Sequence, residues 1–114
     1  MPKDLEIDVA RNGACSVVRV RGDIDMKTSP ELRAVILDLF DKRAQERVIL
    51  DLKGVPYIDS SGVASLVEGL QEAKRRNARF ILSSLNDGPR HVLDLTRLTS
   101  VFEIAPTVED ALKA

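Results

Sequence analysis

Val48-Ile49-Leu50-Asp51-Leu52, followed after a short loop by Tyr57-Ile58-Asp59-Ser60-Ser61-Gly62 and a helical pattern running to Arg76, decides how this chain folds. The first five residues form a nearly unbroken apolar run bounded by charge, the pattern of a central strand covered on both faces. From Ser60 onward, Val63, Leu66, Val67, Leu70 and Ala73 recur at helical spacing, and Lys74, Arg75 and Arg76 complement the negative end of the helix dipole. Phe80-Ile81-Leu82 supplies the next apolar run. Two buried strands separated by one helix are expected to be parallel neighbours joined by a crossover, which makes this an α/β domain.

Upstream, Leu5, Ile7 and Val9 alternate with Glu6 and Asp8, and after Asn12-Gly13 the segment Cys15 to Arg21 places Val18 and Val20 on one face. Alternation on both sides of Asn-Gly predicts an antiparallel hairpin with a type I′ turn at those two residues. Thr28 and Glu31 are spaced as a capping box, with Pro30 tolerated in the first turn. Leu32, Val35, Ile36, Leu39 and Phe40 then lay one apolar stripe along a helix of about 14 residues. Downstream, Asp87-Gly88-Pro89 opens a shorter helix through Val92 and Leu93, and Val101 to Ile104 reads as a last brief strand. Thr107 with Asp110 caps a terminal helix that uses Val108, Ala111 and Leu112. The expected order is ββαβαβαβα, a mixed sheet in one domain over residues 1–114.

Composition narrows the function. Seventeen Lys and Arg against eighteen Asp and Glu leave a net charge of −1, without the positive field that a phosphate backbone requires, so nucleic acid is not an expected partner. The single cysteine, Cys15, has no disulfide partner in the chain and no Cys or His cluster with which to share a metal; no cofactor is expected. No run approaches the roughly 18–20 apolar residues of a spanning helix, and no apolar signal core follows Met1, so the expected location is cytoplasmic. His91 is the sole histidine, and neither a Gly-x-Ser-x-Gly elbow nor a P-loop is present, so no catalytic residue and no resident ATP site are assigned. A phosphoaspartate receiver would use Asp51, but it also needs acidic residues after the first strand and a lysine after the last, and both are missing.

The chemistry concentrates at Asp59-Ser60-Ser61-Gly62, where a strand hands over to a helix whose first N–H groups are unsatisfied. Any of Asp59, Ser60 or Ser61 can serve as a plain N-cap there. An exposed serine at a helix start can equally be a covalent switch, since a phosphoryl group adds nearly two negative charges beside the positive dipole end. The two roles are compatible.

Three features together resemble the STAS domain, and within it the stand-alone anti-sigma factor antagonists. They are Arg21-Gly22-Asp23-Ile24-Asp25 closing the hairpin, the strand Val48 to Leu52 leading into Asp59-Ser60-Ser61-Gly62-Val63, and Leu93 to Ile104 with its Leu98…Phe102 spacing. The resemblance spans almost the whole chain, departing at Arg97-Leu98, where many relatives carry Gly-Leu. It implies that Ser60 accepts phosphate from a GHKL-type serine kinase that is also the anti-sigma factor, and that Asp25 lies close by and assists phosphorylation or docking. Partner binding would then fall on Asp23, Asp25, Asp59, Ser60, Ser61, Gly62 and Val63; the helix face with Val63, Ser65 and Leu66 has to divide between core and interface, and Val63 and Leu66 read equally as core, Leu66 above all. The unmodified form would bind the anti-sigma factor and free sigma, and a phosphoserine phosphatase would reset the phosphoform. An alternative within the same fold is an accessory subunit of a phospholipid-transport ABC complex that binds without phosphorylation. A monomer or weak dimer is expected, with pairing through a sheet edge left open.

Overall fold

The computed structural model describes residues 4–114. Five strands form one sheet in the order β1-β2-β3-β4-β5, with the chain running β1 (Leu5–Asn12), β2 (Cys15–Gly22), α1 (Ser29–Asp41), β3 (Arg47–Gly54), α2 (Ser60–Arg75), β4 (Arg79–Ser83), α3 (Asp87–Leu95), β5 (Glu103–Ala105) and α4 (Val108–Lys113). The order ββαβαβαβα and the mixed sheet match the sequence expectation. β1 pairs antiparallel with β2, whereas β2, β3, β4 and β5 are successively parallel.

β3 lies in the middle of the sheet because both of its faces are apolar. Val48, Leu50 and Leu52 join Val18, Val20, Phe80 and Leu82 in the large core under α1 and α2, while Ile49 packs with Ile81, Val108 and Ala111 beneath α4. The period-2 alternation of a strand thus feeds two separate cores from one five-residue run. Phe40 of α1 meets Phe80 of β4 edge to face, with ring centroids 6.1 Å apart. Among the described residues, no helix is long and apolar enough to cross a membrane.

Four local expectations need correction. The hairpin turns one residue later than expected: Asn12 still pairs with Cys15, so the two-residue loop is Gly13-Ala14. Only Gly13 has positive φ, the pattern of a type II′ turn rather than I′. Thr28 and Glu31 form no capping box: Thr28 is the N-cap of α1 without a side-chain cap hydrogen bond, and its reciprocal partner is Asp25, in the turn that leads into the helix. The Asp25 carboxylate accepts from Thr28 N, and Thr28 Oγ1 accepts in return from Asp25 N at 3.0 Å. The last strand is Glu103–Ala105, with Val101 exposed in the preceding turn. In α4, Leu112 points to solvent and only Val108 and Ala111 are buried.

Arg97 follows the end of α3 with φ of +59°, where its N–H and that of Leu98 bond back to Asp94 O and Leu93 O. This is the left-handed position that normally closes a helix with glycine, so the departure noted in the sequence keeps the turn and strains it. Arg97→Gly is therefore expected to stabilise the fold by about 0.5–1 kcal/mol, read as a higher denaturant midpoint at unchanged slope.

Glu72 is buried on α2 and paired with Arg75 and Arg76, whose Nε lies 2.6 Å from it. The hydrogen bond from Arg76 outweighs desolvation and holds the Glu72 carboxyl below the usual carboxylate range. A depressed folded pKa contributes stability that is complete above the unfolded value of about 4.3 and fades as pH falls through the folded value. The stability gap between wild type and Glu72→Gln should accordingly be constant near neutrality and narrow on acidification below about pH 4; a gap independent of pH would refute the assignment.

Candidate functional site

β2 and β3 run parallel, so the segments leaving their carboxyl ends travel side by side. They meet at one isolated parallel bridge, Ile24 to Ile58. Ile24 N donates to Tyr57 O at 3.0 Å, and Asp59 N donates to Ile24 O at 3.0 Å. Both isoleucines are buried in the core. Their neighbours in each segment consequently turn outward, with Asp23 alongside Tyr57 and Asp25 alongside Asp59.

Two helices start beside this bridge, α2 capped by the Asp59 carboxylate and α1 entered through a turn that the Asp25 carboxylate closes. Asp59, in extended conformation, accepts from Gly62 N at 3.0 Å and starts α2. Asp25 Oδ1 accepts from Lys27 N at 2.9 Å and Thr28 N at 3.1 Å, and Asp25 O accepts from Ser29 N at 2.8 Å. Thr28 Oγ1 donates to Asp23 O at 2.8 Å and closes the 23–28 loop on itself. Asn86 braces the other loop, its amide donating to the carbonyls of Lys53 and Val55, each at 2.9 Å. Lys27 is held by Asp4 at 2.6 Å, and that hydrogen bond raises its ammonium above the usual lysine range.

The cap question left open by the sequence is thereby answered: Asp59 is the N-cap, and Ser60, the first helical residue, is free of that duty. Ser60 is exposed, and its hydroxyl enters no hydrogen bond among the described residues. Asp23 is exposed, and Asp25, Asp59 and Ser61 are half-buried around it. Gly62, Val63, Ser65 and Leu66 turn inward, Val63 and Leu66 into the main core and Ser65 Oγ onto Ser61 O at 3.2 Å. Of the two readings open for this helix face, core or interface, the burial of Val63, Ser65 and Leu66 gives all three side chains to the core.

Gly62 is needed for packing. A Cβ there would fall 2.5 Å from Ile58 Cγ1 and 2.9 Å from Ile24 O, so the first turn of α2 can lie against the bridge only without a side chain. Sequence reasoning missed the Asn86 brace and the two exposed apolar residues of the rim, Met26 and Tyr57. An asparagine before Asp87-Gly88-Pro89 signals a helix cap, but nothing local shows that its amide is spent on a distant loop. Among the described residues no group of His, Cys, Asp and Glu gathers to hold a metal ion. His91 is exposed on α3, and Asp51 pairs with Arg19 at 3.5 Å within the sheet.

With this architecture in view, the chain belongs to the STAS domain family, whose profile matches residues 6–111. It is 26% identical over 110 residues to the anti-sigma-B factor antagonist of Bacillus subtilis, covering 96% of this chain and 99% of that protein. The crystal structure of an anti-sigma factor antagonist from Mycobacterium paratuberculosis superposes with a TM-score of 0.86 at 27% identity, covering 99% and 95% of the two chains. The Bacillus cell fate determinant SpoIIAA in its phosphorylated form shares the fold at a TM-score of 0.74 and 21% identity, covering 95% and 98%.

Gly62→Ala should destabilise the protein by about 1–3 kcal/mol through overpacking, measured by urea unfolding. Ser60→Ala, which removes an exposed oxygen outside the cap, should stay within about 0.5 kcal/mol of wild type in the same measurement.

Proposed function

We propose that this protein is an anti-sigma factor antagonist whose unmodified form binds an anti-sigma factor and releases sigma, and which phosphorylation of Ser60 switches off. The observation that carries this reading is the exposed, unbonded Ser60 hydroxyl directly after the Asp59 cap, where the segment following β3 meets the acidic segment following β2. The Bacillus subtilis and Mycobacterium paratuberculosis relatives bear the names of such antagonists, and the SpoIIAA structure is of a phosphorylated form. As a transporter accessory subunit the chain would leave that hydroxyl without a role.

The protein acts by binding and is not an enzyme; its expected setting is the cytoplasm. The partner is a GHKL-type serine kinase that doubles as the anti-sigma factor, and it supplies the ATP. Ser60 Oγ attacks the γ-phosphorus, the new O–P bond replaces the bond to ADP, and the hydroxyl proton leaves to a base or to solvent. Asp25 contributes its charge to docking, because one of its oxygens is already committed to two backbone N–H groups. A phosphoserine phosphatase restores the hydroxyl by hydrolysis.

Release requires only electrostatics. An added negative charge about 4 Å from a like charge costs about 1 kcal/mol in water-like surroundings and about 4 kcal/mol at an effective dielectric near 20. At 1.4 kcal/mol per factor of ten, one such contact weakens binding from about fivefold to nearly a thousandfold. The upper figure applies where docking has excluded water.

Co-incubation with the candidate kinase and ATP, followed by intact mass and site mapping, is expected to show a single phosphoryl group on Ser60. Ser60→Ala should bind the kinase as wild type does, and Ser60→Asp should bind more weakly. Modification at another residue, or equal binding by all three forms, would remove the switch from this reading.

A further inference from the structure

We infer that Met26 and Tyr57 are the apolar anchors of the docking surface around Ser60, and that they fit a partner face with an apolar recess ringed by basic side chains. This inference rests on the antagonist reading and assigns to that site residues beyond the acidic loop and the serine.

Met26 is 76% exposed and Tyr57 51% exposed. Single apolar residues on a surface are ordinary. These two, however, occupy the two segments that the Ile24–Ile58 bridge joins, one residue from Asp25 and two from Asp59 respectively. Neither side chain is needed for the core, which is closed from beneath by Ile24 and Ile58.

Their backbones are fixed. Tyr57 O accepts from Ile24 N, and Met26 lies in the loop where the Asp25 carboxylate holds the N–H groups of both Lys27 and Thr28. A fixed backbone spares the cost of ordering the loop on binding, leaving only side-chain freedom to be lost, little for the two-torsion Tyr57 and more for Met26, whose thioether adapts to an irregular recess. Around them lie Asp23, Asp25 and Asp59, while Lys27 is neutralised by its pairing with Asp4. The rim is therefore acidic, and the complementary partner is basic. Apolar anchors govern how long the complex lasts, and rim carboxylates govern how fast it forms and how strongly salt opposes it.

The test uses the full chain and the purified anti-sigma factor serine kinase encoded in the same genome, with rates followed by surface plasmon resonance. Met26→Ala and Tyr57→Ala are each expected to weaken binding by about tenfold or more, mainly through faster dissociation, with thermal unfolding unchanged. Asp23→Asn should slow association and flatten the salt dependence with little change in dissociation. Leu112→Ala, at an apolar residue of α4 about as exposed as Tyr57, should leave both rates unchanged.

If the kinase binds and modifies Ser60 while both anchor variants keep wild-type rates, the inference falls and the switch stands. If the wild-type chain neither binds nor is modified, both fall. If sedimentation shows a dimer of this chain that Met26→Ala and Tyr57→Ala dissociate, the patch belongs to self-association and the inference is overturned.

Discussion

The site depends on one backbone bridge, between Ile24 and Ile58. Parallel strands deliver their carboxyl ends side by side, but loops leaving a sheet ordinarily diverge, and two hydrogen bonds prevent that here. The buried side chains of the bridge anchor it to the core, and the missing Cβ of Gly62 lets the first turn of α2 close over it. Asp23, Asp25, Tyr57 and Asp59 face outward together because Ile24 and Ile58 face inward. The chemistry of the surface is thus determined by the packing beneath it.

The same bridge brings two helix starts together and leaves the Ser60 hydroxyl apart from the capping groups. Each start has orphan N–H groups that need an acceptor: Asp59 supplies one for α2, while Asp25 takes the N–H groups of Lys27 and Thr28 in the turn ahead of α1. Those carboxylates stabilise the fold and, by their charge, shape the surface a partner meets. Ser60 belongs to the first turn of α2 but takes no part in holding it. A charge can therefore be added at that hydroxyl without removing a hydrogen bond on which the helix relies.

Much of this was legible in the sequence. The five-residue apolar run of β3 and the 3.6-residue stripe of α2 are strong periodic signals, and they determine the sheet and its crossover. The position of Ser60 at a helix start followed from its place after that strand. What escaped was set by contacts between distant segments. The turn into α1 is closed by Asp25, whose role is decided by where Thr28 sits once the loop closes on Asp23 O. Ser65 is polar and lies close to Ser60 along the chain, yet its side of the helix faces the core beside the stripe of Val63 and Leu66. The Asn86 brace reaches across more than thirty residues, beyond any local pattern.

Arg97 offers a different lesson. Its left-handed backbone imposes a small energetic penalty in a helix ending that a glycine would relieve, and the fold tolerates it because two backbone hydrogen bonds hold the turn. The strained corner lies at the far end of α3 from the Asn86 brace, so its mild tension is spent on the periphery. Mutational drift can loosen or tighten that outer bend while the arrangement of carboxylates and hydroxyl stays as it is, giving the scaffold a place to adjust its heat tolerance independently of whom it recognises.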